Sequence, residues 1–431
     1  MKEDQLSPSS RAKSITLQLL DELLTAEAAQ DVGVRLWDGT LWPDDQPHPA
    51  TIVLNHPGAL RAMFGSLNEV GLAEAYLYDD FDAEGDIENV YGLADGLIKA
   101  SSSLSTKVRI GRMLLRLPAG DDHQKGQRGP AQLSGQRHSI DRDRQAVTYH
   151  YDVSNDFYAL WLDRNLVYSC AYFDSPEEDL DSAQVRKLDY ICRKLRLRSG
   201  QRLLDIGCGW GGLVRHAAEK YGADATGITL SRPQVDLANQ RLSEAGLADR
   251  ARVEERDYRE IEDIEGFDDL VSVGMFEHVG AALLATYFRK AMQILRPGGV
   301  FLNHGIASNA TIKPRRGPTF SQCYVFTDGE LTPINVTLRA AEEAGFEVRD
   351  VESLREHYAL TLRQWVRRLE DHRQQALEFV SEATYRVWRL FMSASAYGFS
   401  AGSINVYQSL LVKQKRDGAS NLPLTRADWY A

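Results

Sequence analysis

The residues best suited to chemistry surround a short apolar segment, Leu203-Leu204-Asp205-Ile206, which carries one carboxylate and runs into Gly207-Cys208-Gly209-Trp210-Gly211-Gly212. The glycines permit a tight turn and let backbone approach a ligand closely, and a helix-like stretch follows. A strand, a glycine loop and a helix in that order make a cradle for a nucleotide-like ligand. The spacing alone does not separate a nicotinamide dinucleotide from S-adenosylmethionine. Asp205 directly before the loop, and Trp210-Gly211-Gly212 after Gly209, favour S-adenosylmethionine, because such a loop suits an amino-acid tail better than a pyrophosphate. A second reactive-looking turn, Gly274-Met275-Phe276-Glu277-His278, falls where the ligand crevice of such a sheet is expected. The stretch 225–230 ends in Thr229-Leu230-Ser231, without the acidic residue that commonly holds a ribose.

The elements that must position these groups alternate. Strand-like stretches at 202–206, 225–230, 252–255, 269–273 and 300–304 are interleaved with helix-like stretches at 211–221, 232–245 and 281–295. This pattern predicts βαβ units and a mainly parallel sheet, an α/β Rossmann-like class I methyltransferase domain over 146–431. Residues 1–118 read as a small α+β domain with no catalytic cluster. Its expected strands are 32–37 and 51–54 around the turn Asp38-Gly39, and its expected helices 60–70 and 87–100. Residues 119–145 are polar and rich in Gly and Gln, which predicts a flexible linker.

With 431 residues, 43% of them hydrophobic, the chain can bury a sizeable core in two or three domains. A net charge of −11 argues against a nucleic-acid partner but leaves room for a local basic patch facing an anionic membrane. The four cysteines, Cys170, Cys192, Cys208 and Cys323, include no CxxC pair, so no metal or thioredoxin-type site is expected and a reduced, intracellular chain is the simple reading. Gln18, Asp21 and Glu22 interrupt the only apolar stretch near the N-terminus, so no signal-peptide core is expected there. No apolar run reaches the roughly 18 residues a bilayer-spanning helix needs. A lipid substrate would therefore be met from outside the membrane. Three basic stretches could make that contact: 105–117, with Lys107, Arg109, Arg112 and Arg116, then 186–202, and 363–373. The plainer reading of each is a solvated helix face.

Several motifs, in order, resemble the cyclopropane-fatty-acyl-phospholipid synthase family, which includes the mycolic acid cyclopropane synthases. They are His150-Tyr151-Asp152-Val153-Ser154-Asn155-Asp156-Phe157, Tyr168-Ser169-Cys170-Ala171-Tyr172-Phe173, the loop at 204–212, Gly227-Ile228-Thr229-Leu230-Ser231-Arg232-Pro233-Gln234, the stretch 271–280, Asn303-His304-Gly305-Ile306, and His357-Tyr358-Ala359-Leu360-Thr361-Leu362. The family's second cofactor segment also lacks the ribose acid, which accounts for Thr229-Leu230-Ser231. Two stretches depart from the pattern. Ala73-Glu74-Ala75-Tyr76 stands where the family has Gly-Glu-Ser-Tyr, and Thr327-Asp328-Gly329 follows Tyr324-Val325-Phe326 where the family continues with proline. Residues 1–118 resemble the family's lipid-binding domain only loosely, which makes that domain lipid-binding-like, and the departures bear on head-group and chain-length preference rather than on the chemistry.

The resemblance implies methylenation of a cis double bond in phospholipid acyl chains, with S-adenosylmethionine as donor and bound bicarbonate as base. An alkene is a poor nucleophile, so the site must align the sulfonium methyl with the π bond in a dry channel. The cation character left on the chain could be stabilised by aromatic faces such as Tyr172, Phe173 and Phe276, at roughly 0.5–2 kcal/mol each. Carried over by motif, the bicarbonate holders are Cys170 and Ile306 through backbone, Glu277 at the bicarbonate hydroxyl, and His304 and Tyr358 as donors. The implied cofactor residues are Tyr168, Ser169, Asp205, Gly207, Cys208, Gly209, Gly211, Thr229, Leu230, Ser231 and Gln234, with Asp257 and Tyr258 near the adenine and Val273 walling the pocket. Each catalytic candidate also has a plainer reading. Glu277 could cap a helix, His304 could be a satisfied core histidine, Tyr358 and Trp210 could be packing residues, and Cys170 could be a small buried hydrophobe. Their occurrence together and in motif order favours function. Two alternatives stay open: a methylene- or methyl-branched product formed after a hydride shift, and a binding protein without catalysis. The expected setting is cytoplasmic, peripheral at the inner face of a membrane, with unsaturated phospholipid as partner and a homodimer as a further expectation.

Overall fold

The computed structural model describes residues 7–24, 28–66, 68–91, 104–119, 129–151, 153–262, 266–312, 317–420 and 422–430. Residues 92–100 of the expected second helix, 120–128 of the expected linker and Asp152 of the first motif lie outside the described residues. The chain divides into two units. The first takes in 1–130, 315–325 and 381–397, and the second 131–314, 326–380 and 398–431. The first unit is thus discontinuous in sequence, drawing two segments from the C-terminal two thirds of the chain.

In the first unit, β1 (Val32–Arg35), β2 (Leu41–Trp42), β3 (Ala50–Leu54) and β4 (Phe81–Gly85) form a sheet in the order β2-β1-β3-β4. The turn at Asp38-Gly39 returns the chain into β2, antiparallel to β1, while β3 pairs with β1 in parallel. The two strands expected around that turn are therefore not its two arms. Ser7 caps α1 (Pro8–Leu23), which buries Ile15, Leu19 and Leu20 along one stripe. The single helix expected at 60–70 is two, α2 (Ala59–Gly65) and α3 (Glu69–Leu77), because the Asn68 side chain accepts from the Gly71 N–H at 2.8 Å and starts a second helix. The basic helix α4 (Leu104–Leu114) buries Leu114 and leaves Val108 and Leu115 exposed. Segment 381–397 is tied in by Arg386, a buried cation held by Asp79 at 2.8 Å and Asp82 at 3.0 Å.

The second unit is built on seven strands in the order β10-β11-β9-β8-β5-β6-β7. They are β5 (Arg202–Ile206), β6 (Asp224–Thr229), β7 (Ala251–Glu255), β8 (Phe267–Val273), β9 (Leu295–Ser308), β10 (Glu347–Ser353) and β11 (Ile404–Val412). All neighbours pair in parallel except those of β11, which runs antiparallel to both β9 and β10. The expected α/β class holds. The helices relevant to the site are α5 (Ile140–Tyr151), α6 (Leu180–Leu195), α7 (Gly212–Tyr221), α8 (Arg232–Glu244), α9 (Leu284–Ile294) and α11 (Arg355–Asp371), with α10 (Ile334–Glu343) between the last two.

Alternation along β5 sorts its side chains to two cores. Leu203 joins Ile191, Leu195 and Val214 on one face, and Leu204 and Ile206 join Leu270 and Phe288 on the other. Each fully buried leucine contributes about 1.5–3 kcal/mol. The strand sequence reverses direction at β5, with β6 on one side and β8 on the other, so the crevice for a ligand lies at the carboxyl ends of these strands. Among the described residues no helix is long and apolar enough to cross a membrane.

Candidate active site

A cavity opens at that crevice. Gly207 (φ +80°), Gly209 (φ +54°) and Gly211 (φ +74°) turn the chain from β5 into α7. A Cβ on Gly207 would lie 2.5 Å from the Met275 Cβ, so the loop and the turn after β8 touch only because glycine is there. Tyr168, Ser169, Asp205, Gly207, Cys208, Gly209, Thr229, Leu230, Gln234, Asp257, Tyr258 and Val273 line the cavity. Gly211 and Ser231, also expected at the cofactor, stand off its wall. Gly211 is the left-handed residue before α7, packed on Ala238 and Val253, and the Ser231 N–H bonds to Thr229 Oγ1 at 3.3 Å before α8. Both shape the wall without forming it.

Asp205 Oδ1, Gln234 Nε2 and the Tyr258 hydroxyl are among the buried polar atoms here without a hydrogen-bond partner. The Thr229 hydroxyl donates to Gln234 Oε1 at 2.6 Å, which leaves the Gln234 amide nitrogen as the free end. Burial pushes the Asp205 carboxyl up to about 7, against the attraction of Lys187. Acceptor, donor and hydroxyl spread along one cavity suit a nucleoside with an amino-acid tail, and the residues present fit S-adenosylmethionine.

The cavity is also lined by residues that sequence reasoning missed. Asp143, Ala146, Val147 and Tyr151 come from α5, whose first half falls in the stretch expected as linker. Among its described side chains α5 buries Ala146 and His150, so it shows no apolar stripe and polar pairing holds it instead. Arg142 forks onto Asp328 at 2.5 and 3.1 Å, and Arg259 bridges Asp143 at 2.8 Å to Asp257 at 2.6 Å. The acids Asp141 and Asp143 in its first turn were the available helix-start signal. Asp328 (φ +64°) belongs to the departure Thr327-Asp328-Gly329 and lines the cavity.

Beside the cavity, at the ends of β8 and β9, lies a buried cluster. His304 and Ile306 are two apart on β9 and share a face. Glu277, in a short 3-10 turn after β8, accepts from the Ile306 N–H at 2.6 Å through Oε1, while its Oε2 has no partner. The Ile306 N–H expected at an anion is therefore spent on orienting Glu277. His304 places Nδ1 3.2 Å from Gln408 Nε2, and its Nε2 is buried without a partner. The Cys170 thiol is fully buried and points at the carbonyls of Ala171 (3.2 Å) and Leu354 (3.7 Å). Tyr358 opens α11, its hydroxyl in electrostatic reach of Cys170, Glu277 and Tyr151. Burial pushes Glu277 up to about 7 and the Cys170 and Tyr358 protons to higher pH, and it holds His304 well below its ordinary value. Each shift is in the direction of the neutral form, as desolvation demands, and Glu277, at about 7, still ionises near neutral pH.

The aromatic faces differ from expectation. Tyr172 stacks on His357 (4.7 Å, 14°), and Phe276 packs in the core against Tyr287 and Phe288. Tyr151, Tyr168 and Trp210 wall the cavity, with Trp210 4.9 Å from Tyr158 and bonded through Nε1 to Asn155 at 2.8 Å. The basic stretch at 186–202 is also not simply a solvated face. Lys187 and Lys194, one heptad apart on α6, are both about 1% exposed and face the sheet, Lys187 donating to Ser169 at 2.9 Å and Lys194 to Gln408 at 2.8 Å.

Residues 138–409 match the family described as mycolic acid cyclopropane synthetase. A protein of Pseudomonas putida named "Probable fatty acid methyltransferase" is 42% identical over 402 residues, covering 92% of this chain and 95% of its own. The solved cyclopropane synthase from Mycobacterium tuberculosis superposes with a TM-score of 0.60 at 33% identity, over 63% of this chain and 98% of its own. A mycolic acid cyclopropane synthase complexed with SAH and CTAB gives 0.59 at 34% identity, over 62% and 97%.

Proposed function

We propose that this chain, which belongs to the mycolic acid cyclopropane synthetase family of S-adenosylmethionine-dependent methyltransferases, adds one carbon across a cis double bond of phospholipid acyl chains and closes a cyclopropane ring. The observation that supports this reading is that Glu277 Oε2 and His304 Nε2 are both buried without a hydrogen-bond partner, on the turn after β8 and on the adjoining β9, next to the cavity that Val273 lines. S-adenosylmethionine, when bound, supplies an electrophilic methyl group. The residues that would hold it are those of the 207–209 turn with Asp205, Gln234 and Tyr258. Tyr151, Tyr168 and Trp210 exclude water from this wall and turn π faces toward positive charge.

Ring closure requires removal of a proton from the added carbon, and bicarbonate, when bound, supplies the proton acceptor. Glu277 Oε2 would accept its hydroxyl, while His304 Nε2 and the Tyr358 hydroxyl would donate toward its oxygens. Cys170 walls the site and Ile306 holds Glu277 in place. On this reading the acyl chain lies in a membrane leaflet and is met from its cytoplasmic side.

A second reading, a methyl- or methylene-branched product, is favoured by the Pseudomonas putida relative, which matches nearly the full length and is named a fatty acid methyltransferase. Expression in a host with monounsaturated phospholipids separates the readings. Lipid mass should rise by one CH₂ with loss of alkene signal, and proton NMR should show upfield cyclopropane resonances. Vinylidene or branched-methyl resonances would establish the second reading, and unchanged lipids would overturn both.

A further inference from the structure

We infer that Lys194 and Gln408 are positioning residues that fix the tautomer of His304, keeping its proton on Nε2. The inference deepens the function proposed above, in which Nε2 donates to the base. It starts from strand register. Glu352 on β10 lies opposite Gln408 on β11, Gln408 opposite His304 on β9, and His304 opposite Val273 on β8. These four residues form one row across four strands, ending at the cofactor cavity.

Lys194 of α6 lies over this row. Its ammonium donates to Gln408 Oε1 at 2.8 Å and to Glu352, and sits 4.4 Å from the centre of the Tyr190 ring. An ammonium has donors and no acceptor, so the group of Gln408 that faces Lys194 must be the carbonyl oxygen. The amide NH₂ is then turned toward His304, 3.2 Å from Nδ1. An amide nitrogen only donates, so Nδ1 must accept. A neutral imidazole has one proton, and it is left on Nε2. The imidazole stays neutral because it is buried, with the cations Lys187 and Lys194 nearby opposing a further charge.

The other tautomer would set Nδ1–H against the amide NH₂, and turning the amide to relieve that contact would set NH₂ against the ammonium. Either arrangement leaves a buried donor facing a donor. Orientation thus passes from Glu352 through Lys194 and Gln408 to His304, with no hydrogen bond from α6 to the His304 Nε2 it serves.

The test is ¹⁵N NMR of the full chain labelled at its ten histidine rings, with the His304 signals assigned by their loss in His304→Gln. Wild type should show His304 Nδ1 as an acceptor nitrogen and Nε2 as protonated. Gln408→Glu, which presents an acceptor to Nδ1, should move a proton onto Nδ1. Lys194→Met should release the amide and produce both tautomers, and Lys194→Arg should restore the wild-type pattern. A wild-type spectrum with Nδ1 protonated would overturn the inference without recourse to any variant, as would a Lys194→Met spectrum unchanged from wild type. Turnover separates this from the proposed function. If the tautomer is as stated but His304→Gln modifies lipid at the wild-type rate, the role of His304 fails and the relay stands. If Nδ1 is protonated and His304→Gln is inactive, the relay and donation from Nε2 fail together, while a cyclopropane product from wild type would keep the proposed function.

Discussion

The two halves of the site are built by opposite means. The cofactor cavity is centred on two stretches contiguous in sequence, the glycine turn after β5 and the short run from Thr229 to Gln234. The neighbouring cluster is made of side chains from segments far apart, Cys170, Glu277, His304 and Tyr358, held by register and by buried partners. The first half should be sensitive to any Cβ added in its glycine turn. The second should accept isosteric replacements structurally and lose its chemistry when they are made.

The largest expected effect is on the second half. Glu277→Gln keeps an oxygen for the Ile306 N–H but removes the carboxylate. Turnover should fall by about 10²- to 10⁴-fold, while cofactor affinity by calorimetry stays within about twofold. A parallel loss of affinity would show that the halves are not separable. Next is Gly207→Ala, the reverse case. The new Cβ meets Met275 at 2.5 Å, and φ is +80°. Stability should drop by about 1–3 kcal/mol, and cofactor affinity with it.

The same Glu277→Gln variant should change the pH dependence of stability. Burial raises the Glu277 carboxyl from 4.5 to about 7, so the folded chain keeps a proton that the unfolded chain loses. Wild-type stability therefore declines as pH rises from about 4.5 to about 7 and levels off above. Gln does not titrate, so the variant should gain on wild type through that window, reaching about 3 kcal/mol at pH 8 and nothing at pH 4. Thermal melts without added cofactor check this, and an equal difference at both pH values would refute it. The smallest effect belongs to the rim. Arg142→Ala removes the fork onto Asp328 that holds α5 over the cavity. Cofactor affinity should fall about three- to tenfold, with turnover at saturation unchanged.

The same contrast governs what could be read in advance. Residues 202–206, the glycine loop and the strands on either side carry their signals locally, and the structure matches them within a residue or two. β11 was not anticipated because its buried half, Gln408 to Val412, has no alternation to mark it as a strand. α5 was hidden because ion pairs rather than an apolar stripe hold it. Lys187 and Lys194 looked like a solvated charge run, and only the distant Ser169, Glu352 and Gln408 make them interior groups. Tyr172 and Phe276 had the right chemistry, but their nearest aromatic partners lie away from the cavity wall. Residue types were legible, whereas the directions in which side chains point depended on the register of strands far apart in sequence.

The place of β11 has a consequence for the order of events during synthesis. β11 follows β10 in the chain yet lies between β9 and β10 in the sheet. Until residues 404–412 leave the ribosome, β9 is an open hydrophobic edge and β10 has no neighbour in the sheet. A nascent chain at that stage lacks Gln408, the β11 residue that lies opposite His304. It also exposes the kind of edge on which chains aggregate. Nascent chains arrested before residue 404 are thus the form of this protein most in need of a chaperone.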